Sequence, residues 1–220
     1  MLAGIKRKLH SVSGFTMTEM LLAVILLLLA SEGMAVGIRL SQVSFEKSLR
    51  ESESKVLFST LESTIDYELS YTGTVEYSGT ANVSVDGSME NVYSVSKFYS
   101  PTYHIRNDLT TFAAVDENGV KKTKGGGYIM LGATDTGTAP DNPFNGKKLI
   151  AEAAYTGELR ARIDDLSYHM NTATGKGYYS YILSIYNGEE EEPMIKETVE
   201  VIPGSTMIQN PNKPNQLISN

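Results

Sequence analysis

The sequence predicts an α+β fold in which one long N-terminal helix packs on an antiparallel β-sheet head. The longest unbroken apolar run, Met20 to Ala30, lies close to the N-terminus. An amphipathic stretch follows it, and no proline occurs before Pro101. Beyond Ser70, apolar residues alternate with polar ones and turn dipeptides recur, which is typical of antiparallel strands.

The apolar stretch is long enough to cross a membrane. As a helix rising about 1.5 Å per residue, Phe15 to Ile38 exceeds a hydrocarbon core of about 30 Å. The basic residues Lys6, Arg7 and Lys8 precede it. Because basic residues stay on the cytoplasmic side, we expect a single-pass protein with a cytoplasmic N-terminus and an external head.

The amphipathic stretch continues the same helix. Leu57, Leu61, Ile65 and Leu69 recur every four residues, so they share one helical face that we expect to be buried against the head. We predict one helix from about Phe15 to about Leu69. The resulting segments are a leader (1–14), a transmembrane half (15–38) and an amphipathic half (39–70) of the helix, a β-rich head (71–202) and a loose tail (203–220).

Ten segments of the head have strand character, and the clearest hairpin joins Leu159–His169 to Tyr178–Tyr186. The candidate strands are Thr74–Tyr77, Asn82–Val85, Val92–Phe98, Tyr103–Arg106, Thr110–Val115, Tyr128–Leu131, Leu149–Tyr155, Leu159–His169, Tyr178–Tyr186 and Ile195–Val201.

An acidic residue, Glu19, stands at the head of the apolar run. A carboxylate at bilayer depth costs on the order of 2.5–3.5 kcal/mol, and such residues are usually paired and functional. Taken alone, Glu19 is equally compatible with a position in the cytoplasmic headgroup region. The residues before it, Gly14-Phe15-Thr16-Met17-Thr18, change that balance.

This segment closely resembles the processing signal of type IV prepilins and pseudopilins, which comprises a basic leader, Gly, Phe, a glutamate at the fifth mature position and a long apolar run. The resemblance implies cleavage between Gly14 and Phe15 by a membrane prepilin peptidase, followed by N-methylation of Phe15. It also implies that Glu19 pairs with the free amine of Phe15 on a neighbouring subunit during assembly. The implied partners are other pilin-like subunits, the peptidase, the pilus assembly platform and the membrane.

The function implied is that of a structural subunit of a type IV pilus or of a type II secretion- or competence-like pseudopilus, at the cell surface or in an extracellular filament. The size of the implied mature chain and its many loops favour a minor subunit over the bulk one. Adhesion, motility, secretion and DNA-uptake machines all use this N-terminus, and the sequence is compatible with each. Gly33 and Gly37 form a small-xxx-small pair, which suits helix packing or local loosening of the helix.

Two alternatives remain open. One is an ordinary secretory signal peptide, for which Gly33-Met34-Ala35 offers small residues at a cleavage site. The other is a secreted or membrane-tethered β-rich binding module that does not polymerise. Assembly that depends on Glu19 separates a filament subunit from such a module.

Composition argues against several other classes. The chain has a net charge of −7 and no cysteine, so we expect neither bulk nucleic-acid binding nor thiolate chemistry. Of the three histidines, His10 lies in the leader, while His104 and His169 lie isolated on candidate strands. With no nucleophile-elbow or phosphate-loop pattern, we expect no enzymatic activity and no cofactor.

Charged loops of the head are interpreted as solvated. Glu189 to Glu192 is an acidic run, and Asp135, Asp141 and Asn142 lie in a second acidic loop, but neither has the spacing of a calcium loop. We therefore expect no metal site. Five lysines lie on loops that would form a small basic patch if they were adjacent: Lys121, Lys122, Lys124, Lys147 and Lys148.

Overall fold

The computed structural model describes residues 16–85, 87–102, 109–133, 145–204, 207–210 and 213–219. The fold is α+β, as predicted: a long N-terminal helix, α1 (Met17–Ser70), packs against a largely antiparallel sheet. The chain divides into two compact units, residues 1–49 and 50–220, and the boundary between them falls inside α1. The last turns of the helix therefore belong to the same unit as the head.

The predicted helical face is buried. Leu57, Leu61, Ile65 and Leu69 are each 1% exposed or less, and Phe58 lies beside them. They belong to one core with the inward face of the strand Gly177–Asn187, which contributes Tyr179, Tyr181, Leu183 and Ile185. The spacing of four residues predicted this contact because it keeps side chains on one side of a helix.

Among the described residues of the 50–220 unit, ten strands form one sheet. In chain order they are β1 (Thr74–Val85), β2 (Ser88–Phe98), β3 (Thr110–Val115), β4 (Tyr128–Ala133), β5 (Gly146–Lys148), β6 (Leu159–Asn171), β7 (Gly177–Asn187), β8 (Ile195–Val201), β9 (Met207–Asn210) and β10 (Lys213–Ser219). The described pairings are antiparallel except that β1 and β9 are parallel. The β6–β7 pairing confirms the predicted hairpin.

Strand β2 is the branch point of the sheet. Its first half pairs with β6, while its end pairs with β3 at one position, Phe98 with Thr110. From β2 the sheet divides into two branches, one of β3, β4 and β5 and the other of β6, β7 and β8. No pairing joins β3 to β6 among the described residues, although the two strands lie in contact.

A bulge in β6 lets that strand change neighbours. The β6–β7 register shifts between Asp164 and Ser167, and Asp165 has a left-handed φ of 53°. Asp tolerates this conformation better than most residues. After the bulge β6 pairs with β2, whereas before it Ala161 exchanges two 2.8 Å backbone hydrogen bonds with Gly127, next to β4.

The structure corrects several of the predicted segments. Thr74–Tyr77 and Asn82–Val85 are parts of one strand, β1. Leu149–Tyr155 is not a strand: a short 3₁₀ turn covers Glu152–Ala154, and the buried Tyr155 hydroxyl accepts the Ile129 N–H at 2.9 Å. The segment Tyr103–Arg106 lies outside the described residues.

The predicted loose tail contains two strands. β9 pairs with β1 beside Val75, and Ile208 is fully buried in the core. A stretch rich in Pro and Asn has little strand character of its own, so tertiary pairing rather than local sequence determines the fold of the tail.

The close approach of Gly127 to β3 gives a stability prediction. A Cβ at Gly127 would lie 2.8 Å from the backbone nitrogen of Val115 and would also clash with its carbonyl oxygen. Gly127→Ala is therefore expected to lower the free energy of unfolding by about 1–3 kcal/mol, as overpacking does. Equilibrium urea unfolding of the full chain in a non-ionic detergent, followed by tyrosine fluorescence, measures this.

The matched control for this prediction is Gly79→Ala, because nothing lies within 4 Å of a Cβ placed there. It should change the free energy of unfolding by no more than about 0.5 kcal/mol. Equal effects of the two substitutions would contradict the close packing of Gly127.

Candidate functional site

The N-terminal part of α1 presents a long apolar surface. All residues from 16 to 49 are exposed, and we call them the exposed segment of α1. Its apolar side chains include Leu27, which is 70% exposed, and Phe45, which is 68% exposed. The helix is long and apolar enough to cross a membrane, with a mean hydropathy of 2.4 over its most apolar window.

Glu19 belongs to a capping box at the start of α1. Its Oε2 accepts the backbone N–H and the hydroxyl of Thr16, each at 2.9 Å, and its own N–H points at the Thr16 hydroxyl at 3.3 Å. This reciprocal arrangement satisfies N–H groups that have no partner inside a helix. The sequence contains the pattern of a capping box, a Thr followed three residues later by a Glu, at Thr16-Met17-Thr18-Glu19. The sequence-based prediction did not include this cap.

The carboxylate therefore has a local role as well as the one implied by the resemblance. It lies at the positive end of the helix dipole, which favours a negative charge. Gly14 and Phe15, the predicted cleavage and methylation residues, lie outside the described residues. In the sequence only Thr16 separates Phe15 from the start of the helix.

Gly33 and Gly37 lie within α1, which stays α-helical through both. A Cβ built at either would meet nothing within 4 Å. Because the two glycines lie one turn apart, they form a small area without side chains on the exposed segment. Their role in packing between subunits stays a prediction.

In the head, His169 is not isolated as predicted but part of a polar cluster. On the face of the sheet opposite the core, its Nδ1 lies 3.2 Å from Glu90 Oε2 and its Nε2 lies 3.1 Å from Ser167 Oγ. The Tyr178 hydroxyl donates to Glu90 at 3.2 Å, and the Tyr178 ring stacks on the imidazole at 4.7 Å. His104 lies outside the described residues.

The cluster has Ser–His–Glu connectivity and lies across three paired strands. Ser167 pairs with Ser94 of β2 and Ser180 of β7, directly after the bulge in β6. Its side-chain contacts suit a cross-strand network that fixes the register of β2, β6 and β7.

A buried carboxylate, Glu68, lies in the last turn of α1 and binds the chain that follows β2. It is 1% exposed and accepts hydrogen bonds from Ser100 at 2.6 Å and from Thr102. The Thr72 hydroxyl in turn donates to the Glu68 backbone carbonyl at 2.8 Å. These bonds fix the end of the helix to the segment that follows β2.

The charged loops lie next to each other. Lys122 lies 3.7 Å from Glu189 and Lys124 lies 3.6 Å from Glu191, so the acidic run faces lysines. Within the described ranges no group of three or more His, Cys, Asp or Glu is arranged to hold a metal ion. The second acidic loop, with Asp135, Asp141 and Asn142, lies outside those ranges.

No family model, curated protein or solved structure matches this chain. The architecture, an apolar N-terminal helix followed by a β-sheet head, fits a pilin-like subunit. The case for a particular function therefore depends on the N-terminal residues and on the exposed segment they introduce.

An acidic cluster between α1 and β8 predicts a pH dependence of stability. Desolvation, with the nearby charges of Asp66 and Glu197, raises the pKa of Glu62, and desolvation raises the pKa of Asp66 despite the 3.0 Å hydrogen bond from Tyr181. A raised carboxyl pKa means that the folded state binds the proton more tightly than the unfolded state. These groups therefore favour folding below their ordinary pKa and lose that contribution as the pH rises through the raised values.

The test substitution for this cluster is Asp66→Asn, which keeps an acceptor for Tyr181 and removes one charge. It is expected to stabilise the protein at pH 7 by about 0.2–0.5 kcal/mol, since like charges four residues apart on a helix repel by that amount. Urea unfolding between pH 4 and pH 8 should show a shallower slope for the variant. A variant less stable than the wild type at pH 7 would contradict this account.

Proposed function

We propose that this protein is a structural subunit, of the minor type, of a type IV pilus or of a type II secretion- or competence-like pseudopilus. A prepilin peptidase would cleave it between Gly14 and Phe15 and methylate Phe15, and the subunit would assemble through its N-terminal helix. The observation that carries the proposal is the exposed segment of α1, which follows the Gly14-Phe15 pair in the sequence and has the capping-box residue Glu19 in its first turn.

The apolar surface of the exposed segment needs lipid or protein to cover it, because it is unfavourable in water. Exposed apolar surface costs about 25 cal/mol per Å² in water, so a continuous apolar helix face is stable only in lipid or against other protein. A membrane covers it before assembly and neighbouring copies of the helix cover it in a filament. The same surface thus serves both as the anchor and as the polymerisation interface.

The position of Glu19 supports assembly over simple anchoring. A plain anchor gains only the helix cap from an acid at the head of its apolar run, whereas the carboxylate is costly in lipid. In a filament, the amine of Phe15 on a neighbouring subunit would offset that charge. The unit of residues 50–220, which combines the head with the end of α1, has its own core, and we expect it to be displayed outside the cell.

Filament association is tested directly in the native host. Surface filaments are sheared from cells, pelleted and probed for this chain by immunoblot, and intact cells are labelled with immunogold. The proposal expects the chain in the pelleted filaments and gold along or at the tip of fibres. Recovery only in the membrane fraction, with label confined to the cell envelope, would favour the tethered binding module.

A further inference from the structure

One edge of strand β1 is largely unpaired. β2 pairs with β1 along nearly its whole length, whereas β9 pairs with the other edge only at Thr74–Glu76. β9 ends at Asn210, and the chain then returns as β10 on the far side of β9. From Gly79 to Val85 no described strand pairs with this outer edge. We call this stretch, about 23 Å long in an extended conformation, the open edge of β1.

The open edge is accessible to another chain. Every residue from Thr80 to Ser84 is exposed, and because successive side chains of a strand point to opposite faces, both faces are accessible here. The register with β2 runs without a shift from Gly79 to Val85, so the strand is regular along the open edge. The N–H and C=O groups of an unpaired edge can pair with an added strand. β9 already pairs in this way at the start of the same edge.

The open edge lacks the side chains that usually prevent edge-to-edge pairing. Natural edge strands carry charged residues or proline for this purpose, and the sequence Gly-Thr-Ala-Asn-Val-Ser-Val of the open edge contains neither. By contrast, β8, which pairs only with β7 among the described strands, carries Lys196, Glu197 and Glu200. In a chain with a net charge of −7, an uncharged edge lets two copies meet without placing like charges opposite each other.

We propose that the open edge of β1 pairs in antiparallel orientation with the open edge of a second copy of this chain. An uncharged segment with β-branched residues and no proline is suited to pair with an identical segment. A register centred on Asn82 uses the whole open edge. It places Thr80 opposite Ser84 of the second copy, and Ala81 opposite Val83, so each pair joins residues of similar polarity. The contact does not involve α1 and is therefore independent of the proposed assembly through the helix.

The absence of cysteine from the chain allows a direct test. Asn82→Cys places one thiol opposite the same thiol of the second copy. The full chain in non-ionic detergent is oxidised mildly, and the disulfide-linked dimer is followed on non-reducing gels. Relative to the reactivity of each thiol towards a small neutral reagent, the dimer should form about 10-fold faster than with Thr198→Cys, because pairing raises the effective concentration of the thiols.

Thr198→Cys is the matched control, because Thr198 is also exposed and lies in the middle of β8, the charged edge. The two variants share the same helix and the same micelle, so association of the helices alone would link them equally. Equal rates would therefore overturn the proposal. In host membranes, Asn82→Cys that links to a different protein and not to itself would overturn the second copy as the occupant.

A mixture of two variants tests the register. Thr80→Cys and Ser84→Cys lie opposite each other in the proposed pairing, so their mixed dimer should form faster than the dimer of either variant alone. A size tag on one variant distinguishes the mixed dimer on the gel. Faster formation of the Thr80→Cys dimer would mean parallel pairing and would overturn the antiparallel arrangement.

Discussion

Replacing Glu19 with alanine is expected to abolish filament assembly while leaving cleavage after Gly14 intact. Without the carboxylate, the amine of Phe15 on a neighbouring subunit would be buried in an apolar setting with no counter-charge. Breaking a buried pair in this way costs about 3–5 kcal/mol, which is a factor of roughly one hundred to several thousand in the association equilibrium. The measurement compares chain length by mass spectrometry with recovery of the variant in sheared filaments.

Two further variants separate the charge of Glu19 from its capping role. Glu19→Gln preserves the capping box, since glutamine also accepts the Thr16 N–H, but it removes the negative charge. If charge pairing drives assembly, Gln fails as Ala does. The control is Glu46→Ala, which removes an exposed acid of α1 beyond the predicted transmembrane half and should assemble normally. Normal assembly of Glu19→Gln would show that the helix cap, not the charge, is what matters.

Replacing Leu61 with alanine is expected to lower the free energy of unfolding of the head by about 2–5 kcal/mol. Leu61 is completely buried between α1 and the sheet, in the middle of the stripe that includes Leu57 and Ile65. Truncating such a side chain loses its transfer free energy and leaves a cavity. Because domains are stabilised by only about 5–15 kcal/mol, the variant should unfold at a visibly lower urea concentration.

The matched control on the same helix is Val56→Ala, since the Val56 side chain is 64% exposed. It should change stability by no more than about 0.5 kcal/mol. If Leu61→Ala behaved like Val56→Ala, the helix would not be an integral part of the head core. Tyrosine fluorescence suits the measurement, because the chain has 13 tyrosines and no tryptophan.

The sequence predicted correctly those helices and strands in which buried residues recur at regular intervals. The spacing of Leu57, Leu61 and Ile65 identified the buried face of α1, and the alternation in residues 178–186 identified the central hairpin. These predictions succeeded because a period of four or of two fixes the direction of each side chain regardless of what lies opposite.

Features that depend on distant pairing could not be predicted in the same way. Glu90 and His169 are 79 positions apart and meet only because β2 and β6 pair in one register. Lys122, after β3, and Arg162 of β6 likewise line one cavity of about 200 Å³ because β3 and β6 come together in the sheet. The cap formed by Thr16 and Glu19 is different: it is local, and the four-residue pattern alone was sufficient to predict it.

The mature N-terminus of the protein from its native host, determined by mass spectrometry, tests the central claim most directly. The account predicts a chain that starts at Phe15 and carries one added methyl group. A chain that starts near Val36 would mean that a signal peptidase removes the apolar run, and an uncut chain would mean a membrane-tethered protein. Either of these results would contradict assembly as a pilin-like subunit.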